Sequence, residues 1–374
     1  MFLPYIATRS RLFRVVVPTL LFFFSISSST AQDIQPRIDE YLKSKVTQNR
    51  PGITALVARG DDVILRRKYG QNGSKPEAVG QSRFSVGTIA EQFVAAAVLR
   101  LQEQGKAKLD TSICQYLSGC PNDWKEIQIL QLLTHTSGLP LLAQSFVCSS
   151  KALPAQMIPQ VLAAVGRQTL EFKPGSTLRY NQLDYILLSA VVESASGRSS
   201  RAYIETEIFG ALKMTGTGLS DRFVKPPLEK PSKSAQNAEI DAQTDNAPLC
   251  YGDHAYSTIE DLLVWVRALT KSTILSRESL VQMFTPFRDG QGFGWKVVKE
   301  FGRELLIQNG GAPGQSVSIR LYPDDDTYVI VASIGMNPDS AELTHGIGAI
   351  LFGRNYPVSG GSGVLRENDL WFLD

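Results

Sequence analysis

The chain has 374 residues, 43% of them hydrophobic and 20% charged, with a formal net charge of +2. That composition supplies a sizeable core and excludes a disordered, collagenous or coiled-coil chain. A near-neutral balance gives no electrostatic case for nucleic acid or an anionic membrane as partner.

The first residues read as an export signal. Arg9, Arg11 and Arg14 form a basic region, Val15 to Ile26 an apolar run of twelve residues, and Ser29-Thr30-Ala31 a small-residue cleavage site. A run that short does not span a bilayer, which takes roughly 20 residues. The expectation is a signal peptide over residues 1–31, cleaved after Ala31, and a secreted or periplasmic protein without stable membrane insertion. Residues 1–31 carry three Arg and no acid, so the remaining chain stands at −1.

Pro36 reads as the start of a helix in which Ile38, Tyr41, Leu42 and Val46 share a face. Two strands follow, "GITALVARG" (52–60) and "DVILRRKYG" (62–70), joined by a tight turn at Gly60-Asp61-Asp62. Next comes a helix launched from Gly87, with Phe93, Ala96, Ala97 and Leu101 at helical spacing. Residues 109–290 are helical patterns broken by Pro and Gly loops. "DYILLSAVVESASG" ends at a Gly suited to a helix C-terminus, and "STIEDLLVWVRAL" opens like a capping box. The polar, Pro-rich stretch 224–248 reads as a long loop. After Gly290 the period changes to two, giving successive antiparallel strands and then a closing helix over 339–353.

The predicted architecture is mixed α/β, of the α+β kind. An antiparallel sheet (32–108 and 291–353) is flanked by N- and C-terminal helices, with an all-helical region (109–290) inserted and a loose tail over 354–374. A cleft between sheet and helical region is the expected ligand site.

Four Cys in an exported chain point to disulfides. Of three possible pairings, Cys114–Cys120 closes a tight local loop and leaves Cys148–Cys250. The three His residues are scattered and form no zinc pattern with the Cys, so no metal and no cofactor is expected.

Several stretches carry a resemblance. They are "FSVGTIAEQFVAAAVLRLQEQGKAKLD", "ILQLLTHTSGLP", "FKPGSTLRYNQLDYILLSAVVESASG", "YGDHAYSTIEDLLVWVRAL", "GFGWKV" and "NGGAPGQSVSIRLYPDDDTYVIVASI". In this order they are similar to landmarks of the serine β-lactamases and penicillin-binding proteins, closest to class C β-lactamases and D-alanyl-D-alanine carboxypeptidase-like hydrolases. The resemblance covers roughly residues 35–353 and implies the β-lactamase/transpeptidase-like fold.

It also implies a site. The family uses Ser-x-x-Lys on a helix, where one turn puts the serine and the amine on one face. A Tyr shuttles the proton, a Lys or His on the facing strand meets the substrate carboxylate, and backbone N–H groups form the oxyanion hole. Carried over, the nucleophile position is Thr88 and the lysine position is Glu91. The Tyr-x-Asn segment is Tyr180-Asn181-Gln182, so that Gln182 stands for the Asn. The strand motif is Asn309-Gly310-Gly311, and the oxyanion donors are the N–H groups of Thr88 and Ala312. Of the side-chain roles only Tyr180 is unchanged. No Lys in the chain has Ser or Thr three residues before it.

Thr→nucleophile chemistry is possible in principle. An ordinary Glu, however, is an ionised, weak base with a pKa of about 4.3, and its charge opposes an oxyanion. The expectation is a retained fold whose cleft has lost its chemistry and binds a small molecule, peptide, cell-wall fragment or partner. The alternative is an acyl-transfer hydrolase of esterase, peptidase or β-lactamase type using Thr88, a burial-activated Glu91 and Tyr180.

Overall fold

The computed structural model describes residues 31–46, 52–70, 82–142, 154–219, 255–312, 314–334 and 339–354. Helix α1 (Ala31–Ser44) begins before Pro36, which sits in its second turn. The expected signal residues 1–30, the loop 224–248 and the tail beyond Arg354 lie outside the described residues.

The first hairpin, β1 (Ile53–Arg59) and β2 (Asp62–Tyr69), is sewn to the end of the chain. Strands β6 (Lys296–Glu300), β7 (Arg303–Ala312), β8 (Gln315–Tyr322) and β9 (Thr327–Ile334) complete an antiparallel sheet in the order β2-β1-β9-β8-β7-β6. Ile53 stands opposite Ser333 and Arg59 opposite Thr327. A three-stranded sheet, β3 (Phe84–Ser85), β5 (Ala255–Ser257) and β4 (Gly218–Leu219), closes the junction with the helices.

Both faces of the large sheet are covered, which is why β1 and β9 read as continuous apolar runs. Ile53, Ala55, Val57, Val329 and Val331 pack beneath α1 and the last helix, α9 (Ser340–Leu351). Leu56, Ala58, Ile319, Ile330 and Ala332 face the larger core on the other side. That core contains α2 (Ala90–Glu103), the short α3 (Ile129–Leu133), α4 (Pro154–Val165), α5 (Gln182–Ser196), α6 (Ser200–Ile204), α7 (Ile259–Thr270) and α8 (Arg277–Phe284). Phe93 of α2 meets the edges of Phe209 and Trp265 at 4.9 and 5.0 Å between ring centroids.

Local chemistry sets the helix ends. The Asn181 side chain accepts the Leu183 N–H at the start of α5, and Gly197 ends it with φ 70°. Thr258 caps α7 by accepting the Asp261 N–H. Helix α7 falls within the stretch expected to be the helical region, yet it lies on the sheet. Arg267 donates to the Gly60 carbonyl, and the Thr270 and Tyr328 hydroxyls are 2.7 Å apart. Cys114 and Cys120 form a disulfide. Cys148 and Cys250 lie outside the described residues.

Candidate active site

The site is built where β7 meets the turn that launches α2. Strand β6 pairs only with residues 303–307 of β7, so residues 308–312 present a free edge. The 3₁₀ turn Gly87–Ile89 fills that edge. A Cβ on Gly310 would stand 2.1 Å from the Val86 carbonyl oxygen, and one on Gly87 would stand 2.2 Å from the Gly311 carbonyl oxygen. Gly87 also has φ 48°. Backbone lies on backbone here, and only glycine allows it.

Thr88 is half-buried, and its hydroxyl donates to the Asn309 carbonyl at 2.7 Å. Its own carbonyl accepts from Gln308 Nε2 at 3.3 Å. Three residues on, Glu91 is buried in the first turn of α2. Glu91 Oε1 accepts the Tyr180 hydroxyl at 3.0 Å, and Oε2 stands 3.7 Å from His135 Nε2. Tyr180 is 36% exposed. Behind Glu91 the chain of contacts continues inward. His135 Nδ1 is 2.9 Å from Asp184 Oδ2, and the Ser137 hydroxyl donates to Asp184 Oδ1 at 2.6 Å.

Charge follows from this arrangement. Burial pulls the His135 pKa down, but the hydrogen bond to Asp184 and the nearby Glu91 and Asp184 carboxylates outweigh it and push it up to about 9. Burial raises Asp184 above the usual carboxylate range, with His135 and Ser137 opposing. Burial, then the Glu91 charge and hydrogen bond, lift the Tyr180 phenol well above its ordinary value.

The expected site residues therefore separate. Thr88, Glu91 and Tyr180 lie around the head of α2, and Gln182 is the first residue of α5. Asn309 contributes its carbonyl only. Along β7, Leu306, Gln308 and Gly310 face the turn and the helical core, whereas Leu305 and Ile307 face α1 and α9. Alternation puts the Asn309 side chain on the α9 face, opposite Ser318, whose hydroxyl is 2.9 Å from that of Thr344. That placement corrects the expectation that this side chain enters the cleft. The Gly310 and Gly311 backbone lies against the turn, while Ala312 pairs with Gln315.

Sequence reasoning missed four participants. His135 and Asp184 anchor Glu91. Buried Asn181 is spent on capping α5 and on donating to the Leu139 carbonyl at 2.9 Å. Gln308 holds the turn. The available signal was the acid at position 91 together with the histidine in "LLTHTSGLP". Among the described residues no grouping of His, Cys, Asp and Glu is arranged to hold a metal ion.

An antiparallel sheet crossed by a helical layer, with a hydroxyl-bearing helix head against a Gly-Gly strand edge, defines the architecture of the serine hydrolases that include β-lactamases and penicillin-binding proteins. Residues 34–351 match the beta-lactamase family model, and the chain belongs to that family. It is 27% identical over 336 residues to a penicillin-binding protein of Bacillus subtilis (strain 168), covering 82% of this chain and 73% of the relative. The fold is shared with an octameric penicillin-binding protein homologue from Pyrococcus abyssi, with TM-score 0.69, 19% identity, and coverage of 87% of this chain and 78% of that one. It is shared equally with a D-amino acid amidase from Ochrobactrum anthropi SV3 in complex with D-phenylalanine, with TM-score 0.69, 19% identity, and coverage of 86% and 97%. No helix among the described residues is long and apolar enough to cross a membrane.

Proposed function

We propose that this β-lactamase-family protein is an exported pseudoenzyme whose cleft binds a peptide or cell-wall fragment without acyl transfer. One observation carries the reading: the Thr88 hydroxyl is donated to the Asn309 carbonyl, a group that cannot take its proton. The group at the usual base position, Glu91, is held by Tyr180 and faces His135 instead. A missing positioned base costs on the order of 10²–10⁴ in rate, and the catalytic groups of such a site act as a unit. Support for the ligand class comes from the likeness to a penicillin-binding protein. Export rests on the basic, apolar and small-residue sequence of residues 1–31.

The test is intact mass after incubation with a fluorescent penicillin and an activated ester. The expected result is an unmodified chain and no turnover. An adduct that disappears in Thr88→Ala would overturn the reading and establish Thr88 as a nucleophile.

A further inference from the structure

We propose that His135 is the cation of this site: an imidazolium clamped between Asp184 and Glu91, so that position 91 carries the negative partner of an ion pair where the family carries an amine. This inference does not depend on whether the cleft turns over a substrate.

Nδ1 lies 2.9 Å from Asp184 Oδ2, within hydrogen-bond reach, whereas buried Nε2 makes no hydrogen bond and has Glu91 Oε2 at 3.7 Å, an ion-pair separation. A neutral imidazole has one N–H and one lone pair, so in either tautomer it would turn a lone pair toward a carboxylate. The doubly protonated ring turns an N–H toward each carboxylate, and it puts a positive charge on the Nε2 that has no hydrogen-bond partner. The Asn181 N–H approaches Nδ1 at 3.5 Å, a longer and weaker contact than that to Asp184. Tyr180 and Tyr185 flank the ring at 4.7 and 5.2 Å between centroids, and aromatic rings favour a cation beside them.

Burial favours a compensating charge at this cluster. His135, Glu91 and Asp184 are 1%, 7% and 0% exposed. Two carboxylates so enclosed would lack a compensating charge if the ring were neutral. Ser137, which donates to Asp184, carries none. The groups facing the ring are thus Glu91 from α2, Asp184 and Tyr185 from α5, and Tyr180. His135 also holds φ 52°, a left-handed conformation that a non-glycine residue adopts at a cost. A lysine at 91 would set two cations side by side over one carboxylate. Removing the histidine at the same time would leave one cation and one anion.

The experiment is ¹⁵N-histidine NMR of the whole protein across pH, with chemical denaturation of the same samples. One of the three histidines, assigned by its loss in His135→Gln, is expected to keep an imidazolium signature beyond pH 8. Glu91→Gln should lower its midpoint by about one pH unit or more. Glu91→Lys should lower the denaturation midpoint, and Glu91→Lys with His135→Gln should recover at least half of that loss. A neutral tautomer at pH 7 in the wild type, or a midpoint unmoved by Glu91→Gln, overturns the proposal. If Glu91→Gln does not fold, the double-variant arm decides: purely additive losses reject the charge exchange.

Discussion

Two glutamates in this molecule are held in nearly the same way. Glu91, at the cleft, accepts a tyrosine hydroxyl and faces a histidine. Glu300, at the end of β6 beneath α9, accepts the Tyr322 hydroxyl and His345 Nδ1, and pairs with Arg320. The difference is the Arg320 guanidinium, which leaves Glu300 with a surplus of donors. Glu91 has a second carboxylate, Asp184, behind its histidine. The Glu300 set is a clamp between sheet and helix with no claim on chemistry. That Glu91 repeats its pattern argues that the cleft glutamate, too, serves to join elements, tying α2 to α5 and the 134–137 loop.

The comparison is best broken where the effects are largest. Glu300→Ala leaves Arg320, 6% exposed at its side chain, without its carboxylate. The expected loss is about 3–5 kcal/mol by urea unfolding. A loss under about 1 kcal/mol would mean that the clamp is slack and the analogy empty.

The two clamps should also fail at opposite ends of the pH scale. The His135 pKa is raised to about 9, above an unfolded value of about 6.5. Its contribution is therefore complete below pH 6.5 and is lost as pH rises toward 9. Burial pushes Glu300 up, but His345, Arg320 and Tyr322 outweigh it and hold its carboxyl below the usual range. Its contribution is present above the unfolded carboxylate value and is lost as pH falls through the folded one. Unfolding free energy from pH 4 to 10 should show both limbs. His135→Gln should flatten the alkaline limb alone and Glu300→Gln the acid limb alone; the same limb moving in both variants would refute the assignment.

Smaller effects sharpen the contrast. Tyr322 is fully buried and Tyr180 is 36% exposed. Tyr322→Phe is expected to cost about 1.5–3 kcal/mol, the range for a bond to a charged group, and Tyr180→Phe less, because Tyr180 is partly exposed although its hydroxyl donates to buried Glu91. Equal losses would show Tyr180 to be as structural as Tyr322. Thr88→Ser keeps the hydroxyl that meets Asn309, so a stability change under about 1 kcal/mol and no new mass adduct are expected. A serine variant that acylates would locate the lost activity in the threonine methyl alone.

How legible this was depended on range. The hairpin, the period-two strands after Gly290, the Thr258 cap and the Gly197 stop are local signals, and they read correctly. The Cys114–Cys120 pair, six residues apart, was also within reach. The site was legible as a set of positions and not as a set of directions. Whether Asn309 faces the cleft depends on strand parity, and one residue of register reverses it. The His135–Asp184 contact spans 49 residues and His135–Glu91 spans 44, so no window of sequence contains either. Helix α7 gave a clear cap and face, but nothing local told which layer it would cover. The π-helical turn Glu205–Gly210 had no warning in composition at all.

The pairing of Ile53 with Ser333 has a consequence in time. Strand β1 leaves the ribosome early, yet its second neighbour, β9, is made some 280 residues later. At roughly 5–20 residues per second, that interval is about 15–55 seconds. Throughout it the most apolar strand of the N-terminal half has only β2 for a partner and leaves one edge bare. The large sheet is thus among the last parts of the protein that can close.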